Sequence, residues 1–343
     1  MIIKHFERLD DIPGTEKFYE SLPVFATQEY AAYLKKTKNY NTVWFYGIIS
    51  RNIKVLIPFT VRKKYVFTTG MFLTGVIPLD KNITVDIERE FLNSIVALIK
   101  KEKICDWIQQ PANWALFRVV PSNSIYCEFG TYRINMVDKN ENELYSKIAR
   151  QHRKVITKAI NNNILIKNGT ELLEDCYKTL TASPSFSAHE FPSKIHLQIL
   201  SDHLKHNLHI YVAYKNSIPL SSVIYCSDIS CFYGLYSSRV NSASDEGTNH
   251  LLHWQAIKDA KLSGIQYYDF VGARISPAPN TKHDGIQRFK RHFGAELLKG
   301  FLWKMPISKV KYFVFNLLVR ALFFIRFKKY KGDIIDQELK RNK

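Results

Sequence analysis

Residues 267–294 read YYDFVGARISPAPNTKHDGIQRFKRHFG and gather side chains able to handle charge and protons. Asp269 ends a short apolar run just before Gly272, and the stretch closes on GIQRFKRHFG at 285–294. There Arg288, Lys290, Arg291 and His292 interleave with Phe289 and Phe293 between two glycines. The phenylalanines, spaced i and i+4, pin one helical turn to a core. On spacing alone, the cations are either the wet face of that turn or part of a charged site. A carboxylate at a strand end likewise has two readings. Asp269 ties the N–H groups of the following loop, or it orients and deprotonates an amine.

A second cationic stretch, ENELYSKIARQHRKVITKAIN, occupies 141–161. Leu144, Ile148, Val155 and Ile156 keep one apolar side, while Lys147, Arg150, His152, Arg153, Lys154 and Lys158 crowd the remainder. No acidic residue follows Glu143 there, so the charges lack local partners. Arg150, Arg153 and Lys154 are expected to grip a diphosphate or a nucleic-acid backbone. A third feature is a helix over 249–262, capped by Thr248 or Asn249, whose free backbone N–H groups suit a pyrophosphate or carboxylate. Tyr236, in an apolar run at 231–237, either donates to a carbonyl or fills the core. His196, His203, His206 and His209 cluster in HLQILSDHLKHNLH without Cys or carboxylate at ligand spacing, so no metal site is expected.

The elements that hold these residues are α/β in pattern. Two β-rich runs at 42–49 and 53–61, joined by a turn at 50–52, form a hairpin, with a break expected at 62–64. Further strand segments follow at 65–68 and 72–77, then an amphipathic helix over 85–101 and a strand over 105–109. The second half repeats this order. A hairpin at 208–226 turns at 215–217, and a strand at 231–237, the 249–262 helix and a strand at 265–270 follow. Two copies of one βββαβ unit are the economical reading. The expected domains are 1–145, with 306–343 folding back on it, and 146–305.

Composition sets outer limits. The 343 residues suffice for two cores, and 46% hydrophobic residues with 13% aromatics exclude a disordered chain. A net charge of +18 favours a polyanionic partner such as nucleic acid, a phosphorylated substrate or an anionic lipid surface. Cys105, Cys127, Cys176, Cys226 and Cys231 form an odd set without a CxxC pair, which argues for reduced core thiols and a cytosolic setting. MIIKHFERLDD at the start lacks the apolar core of a signal peptide. Near the other end, a strongly apolar run at 312–325 is flanked by RFKKYK and is shorter than the ~20 residues of a membrane span. It either packs on the first half or lies on an anionic membrane surface.

Strand pairs followed by a helix that meets the sheet by its N-terminus resemble the core of the GNAT N-acetyltransferases. Several motifs go further and resemble the Fem-like branch, peptidoglycan-bridge aminoacyltransferases and related stand-alone acetyltransferases built from two GNAT-like halves. These are FATQ at 25–28, RQHRK at 150–154, YVA at 211–213, NHLLHW at 249–254, YDF at 268–270 and the 285–294 segment. The long helical arm of some Fem enzymes is not visible. The GNAT pyrophosphate pattern Q/R-x-x-G-x-G/A is also missing before Asn249, where the chain reads SRVNSASDEGTN. That departure weighs against acetyl-CoA and leaves aminoacyl-tRNA, whose affinity would rest on phosphate contacts.

The resemblance implies a mixed α/β protein of two tandem GNAT-like halves, with a C-terminal helix returning to the first. It implies acyl or aminoacyl transfer from aminoacyl-tRNA or acetyl-CoA to an amine of a nucleotide- or lipid-linked envelope precursor. No tightly bound cofactor is needed. Lys290 is expected to contact the donor or stabilise the oxyanion, supported by Arg288, with Asp269 and Tyr236 as further catalytic candidates. Arg150, Arg153, Lys154, Thr248, Asn249 and Arg274 are the donor-binding candidates. The expected setting is cytoplasmic, at the inner membrane face. The rivals are an acetyl-CoA-dependent sugar N- or O-acetyltransferase and a non-catalytic module binding RNA or anionic lipid.

Overall fold

The computed structural model describes residues 1–184, 191–240, 246–275, 277–327 and 330–341. Ser244 and Asp245 of the polar stretch before residue 248, and Lys328 and Lys329 of the C-terminal basic run, lie outside the described residues.

Strand β1 (Ile2–Phe6) leads to helix α1 (Gln28–Lys38), the hairpin β2 (Asn41–Ile49) and β3 (Asn52–Lys64), then β4 (Phe67–Phe72) and β5 (Ile77–Pro78). Helix α2 (Val85–Glu102) and β6 (Trp107–Ile108) complete this run. Next come β7 (Ile125–Asn135), α3 (Glu141–Lys147), α4 (Arg150–Asn161), β8 (Leu165–Asn168), α5 (Leu173–Thr181) and α6 (Lys194–Leu204). A second hairpin, β9 (Leu208–Lys215) and β10 (Ile218–Ser227), is followed by β11 (Cys231–Arg239), α7 (Thr248–Leu262) and β12 (Tyr267–Asp269). The chain ends with β13 (Ala273–Arg274), α8 (Lys282–His292), β14 (Glu296–Pro306), α9 (Lys309–Ile325) and α10 (Ile334–Arg341).

Two compact units result. One holds residues 1–19, 25–130 and 299–343, the other 20–24 and 131–298. In the first unit the strand order is β1-β2-β3-β4-β6-β14-β7, and in the second it is β7-β12-β11-β10-β9-β8. Both units contain the same series of pairings. Each hairpin closes through two consecutive left-handed residues, Ser50 and Arg51 in one and Asn216 and Ser217 in the other, the backbone twist that suits a tight hairpin. The third strand pairs antiparallel with the hairpin (β3–β4, β10–β11) and parallel with the strand after the helix (β4–β6, β11–β12). The duplication read from the sequence is thus a duplication of topology.

Local chemistry fixes the helices. Thr84 caps α2 by accepting from the Ile87 N–H at 3.3 Å. Phe91, Leu92, Ile95 and Ile99 then fall on one side and bury against Phe45, Phe59, Phe72 and Trp303. The core of the second unit gathers Tyr225, Leu252, Ile257, Tyr268 and Phe293. Among the helices of the C-terminal segment, α10 tucks into the first unit. Ile335 is fully buried with Leu302 and Phe129, and Lys304 donates to Asp333 at 2.7 Å and Asp336 at 2.6 Å.

Several boundaries differ from expectation. In the strand read at 72–77, β4 ends at Phe72 and only the short β5 (Ile77–Pro78) follows, and the strand read at 265–270 is only β12 (Tyr267–Asp269). β3 runs through Arg62, Lys63 and Lys64 because these residues, the two lysines exposed, still pair with Thr69, Thr68 and Phe67 across the hairpin. The cationic stretch forms two helices, since the chain turns extended at Ile148 and the Ala149 N–H donates to the His292 carbonyl at 2.7 Å. The 105–109 strand is only Trp107–Ile108.

Candidate active site

Helix α8 is capped by Thr281, whose side chain accepts from the Asp284 N–H at 3.3 Å. Phe289 and Phe293 lie one turn apart with their rings tilted at 56° and centres 5.1 Å apart, and they face the core of the second unit. That register turns Lys290 inward while Arg288 and Arg291 point to solvent. The Lys290 side chain is therefore buried, and its ammonium donates to the carbonyls of Val271 at 2.6 Å and Gly272 at 2.7 Å. Two of its three protons are committed, which leaves one for a ligand. Burial pulls its pKa down to about 8, against the pull of the Asp269 carboxylate.

Lys290 lines a cavity of about 610 Å³ together with Tyr236, Asn249, His253, Phe270 and Phe289. The β-sheet opens here. Parallel pairing of β11 with β12 ends at Tyr233 and Asp269, and the β10–β11 register slips between Ile224 and Tyr225. A bulge of this kind re-aims side chains beside functional sites, and the residues beyond it, Gly234 to Ser237, line the cavity.

A second cavity, about 630 Å³, lies at the start of α7 and shares Ser237, Asn249 and Phe289 with the first. Gly247 makes this approach feasible. Its φ is +72°, and a Cβ there would sit 2.7 Å from the Val155 carbonyl on α4. Because the chain enters α7 through that left-handed glycine, Thr248 is the first helical residue and not the cap. The Thr248 hydroxyl and the Asn249 amide oxygen are buried without a hydrogen-bond partner, and both residues line this cavity. A helix N-terminus with an orphaned buried hydroxyl is fitted to an anionic group. Lys158 lines the same cavity and also the shallow depression formed by Arg150, Arg153 and Lys154 along α4. A cationic track thus runs along α4 to the first turn of α7.

His152, counted among the cations from the sequence, belongs to the other side of α4. Its ring is buried 4.4 Å from His250 and 5.1 Å from Phe293, and burial together with His250 and His292 pushes its pKa down to about 3. His253 is neutral for the same reason, pushed to about 3 by burial. Its Nδ1 meets the hydroxyls of Tyr225 at 2.9 Å and Tyr268 at 2.7 Å, which also bond each other at 2.7 Å. The sequence reading missed this triad. The i, i+3 pair His250 and His253 inside NHLLHW was the available signal, overshadowed by the denser histidines of 196–209. Those do other work: His203 Nδ1 bonds the Ile199 carbonyl at 2.8 Å and His209 Nε2 the Ser227 hydroxyl at 2.8 Å. Among the described residues no group of three or more His, Cys, Asp or Glu side chains is arranged to hold a metal ion.

The remaining candidates separate. Asp269 is buried and fully engaged, accepting from the Thr131 hydroxyl, from Arg133 at 3.0 Å and from the Val271 N–H at 2.7 Å. This is the loop-tying role, and the carboxylate does not line the cavity beside Lys290. Arg288 is exposed and lines neither cavity. The Arg274 carbonyl accepts from Gln287 at 2.6 Å, which fastens β13 to α8.

Residues 187–320, which include the Lys290 cavity, match the family model described as the FemAB family. This part of the chain is FemAB-like. An aminoacyltransferase FemB from Staphylococcus epidermidis is 37% identical over 73 residues, covering 21% of this chain and 17% of the relative. A lipid II:glycine glycyltransferase from Staphylococcus haemolyticus is 32% identical over 84 residues, 24% of this chain and 20% of the relative. The aligned FemAB-like segment thus spans about a fifth of the length of the curated relatives it matches. The crystal structure of FemX superposes with a TM-score of 0.69 at 14% identity, covering 92% of this chain and 99% of that one. A tandem GNAT protein from the clavulanic acid pathway gives 0.52 at 6% identity, over 89% and 99%. At these identities the likeness is one of fold: two GNAT-like halves.

Proposed function

We propose that the second unit carries the site of an acyltransferase that moves an aminoacyl group from aminoacyl-tRNA to an amine of a cell-envelope precursor in the cytoplasm. The observation that carries this reading is a buried ammonium, Lys290, opening on a cavity that adjoins the N-terminus of α7 and its orphaned Thr248 hydroxyl. In this reading the donor's terminal phosphates rest against α7, and its backbone follows Arg150, Arg153 and Lys154. The acyl carbon sits beside Lys290. The acceptor amine forms the new C–N bond, the ester C–O bond breaks, and the amine proton leaves with the departing hydroxyl. The free Lys290 proton stabilises the oxyanion between these events. Tyr236 stands in the same cavity to hold the carbonyl. The acceptor is a nucleotide- or lipid-linked peptidoglycan precursor, in line with the names of the matched relatives. No resident cofactor enters this scheme.

A second reading rests on the same α7 cavity, which also suits the diphosphate of acetyl-CoA and would make the protein a sugar N- or O-acetyltransferase. Titration calorimetry with glycyl-tRNA and with acetyl-CoA, on the wild type and on Thr248→Val, separates them. Tight binding of the charged tRNA that weakens in the variant is expected. Binding of acetyl-CoA alone overturns the aminoacyl reading. Binding without transfer to any precursor leaves only an RNA-binding module.

A further inference from the structure

Helix α9 is 17 residues long and none of its residues is buried. It is held to the first unit by Tyr312 and Phe315, whose rings meet Trp107 at 5.9 and 4.6 Å, and Phe315 also meets Phe67 at 5.5 Å. The outer side is bare. Phe313, Leu317, Leu318, Leu322, Phe324 and Ile325 are each at least 50% exposed. At about 3.6 residues per turn these six fill roughly half of the helix circumference. Lys309 and Arg320 stand at one margin of that arc and Lys311 and Arg326 at the other, and residues 309–331 contain no acidic residue.

The apolar face continues onto the turn between β3 and β4. Lys311, paired with Asp106 at 2.9 Å, also donates to the Val66 carbonyl at 3.4 Å. Tyr65 and Val66 are exposed there, directly after the exposed Lys63 and Lys64.

Soluble monomers rarely leave a contiguous apolar surface of this kind uncovered. A second copy is a poor cover, because two α9 faces would set cation margins against cation margins with no acid on the helix to receive them. An anionic bilayer meets both requirements: the apolar arc enters the acyl boundary and the flanking lysines and arginines meet the headgroups. No helix among the described residues is long and apolar enough to cross a membrane, so α9 would lie in the plane of the interface. We propose that α9, with the turn at Tyr65 and Val66, is an in-plane docking surface for an anionic phospholipid bilayer. The inference goes beyond the transfer reading and stands without it.

The test is co-sedimentation of the full chain with vesicles of phosphatidylcholine alone and of phosphatidylcholine mixed with phosphatidylglycerol. The chain is expected to pellet with the mixed vesicles only, and less so as salt is raised. Arg320→Ala should weaken binding roughly fivefold, about 1 kcal/mol. Leu317→Glu combined with Phe324→Glu should abolish it with an unchanged melting temperature, since both positions are exposed. Failure to pellet with the mixed vesicles, or equal binding by the double variant, overturns the proposal. A dimer that the double variant dissolves, without vesicle binding by the wild type, would assign the face to a second copy instead. A vesicle-bound chain with no transferase activity would count against the proposed function only.

Discussion

The ammonium of Lys290 is bonded to the carbonyl of Val271 at 2.6 Å, and Val271 is a β-branched residue held at φ +51°. Gly272 follows at φ +66°, so two left-handed residues in succession turn their carbonyls toward one cation. The arrangement is clamped from the other side by Asp269, which accepts from the Val271 N–H. Backbone strain at a β-branched residue persists where the surroundings over-determine it, and it concentrates at functional sites.

Val271→Gly should relieve that strain, stabilising the fold by about 1 kcal/mol, since left-handed geometry costs an L-residue ~1–2 kcal/mol. The same change loosens the carbonyl that orients Lys290. A melting temperature held or raised, together with a slower transfer rate, is the expected pair of results.

Asp269→Asn removes the charge that Arg133 and Thr131 address. The loss should be about 3 kcal/mol, at the low end for a broken buried pair because Arg133 is one-third exposed. Chemical denaturation measures it, and a loss near zero would mean that the carboxylate is not structural.

Replacing Arg150, Arg153 and Lys154 with Ala should weaken tRNA binding and flatten its dependence on salt. Each phosphate contact contributes roughly 0.7–0.9 to the log–log slope, so the slope should fall by about 2–3. Binding titrations at several salt concentrations read this directly.

The lowered pKa of Lys290, about 8, has two consequences. If the cation is needed for transfer, kcat falls as pH rises through about 8, and Lys290→Arg moves that limb upward. Stability behaves oppositely. The folded chain gives up this proton before the unfolded chain does, so between about pH 8 and the ordinary lysine range the unfolded state holds more protons and this group favours folding increasingly as pH rises. Denaturation midpoints of the wild type and of Lys290→Met across that window isolate the contribution.

Much of the fold was legible because it rests on short-range rules. Hairpin turns at 50–52 and 215–217, the apolar side of α2 and the order of elements in both halves all follow from periodicity and turn residues. Lys290 was singled out through the family resemblance and not as a buried residue; only the Phe289–Phe293 register shows that it turns inward while Arg288 faces away from it. Asp269 shows the opposite limit. Its partners Thr131 and Arg133 are more than 130 residues away in the chain, and no local pattern announces them. The capping of α7 was misread for a steric reason, because the contact between Gly247 and Val155 on another helix decides where that helix begins.

The proposed transfer depends on Lys290 acting on the transferred group. Transfer from glycyl-tRNA to a nucleotide-linked peptidoglycan precursor by Lys290→Ala, with donor affinity measured in parallel, tests it most directly. Turnover should drop by roughly 10²–10³, the usual cost of one lost oxyanion donor, while the donor Kd stays within a few-fold. Unchanged turnover, or a loss confined to donor affinity, would contradict it.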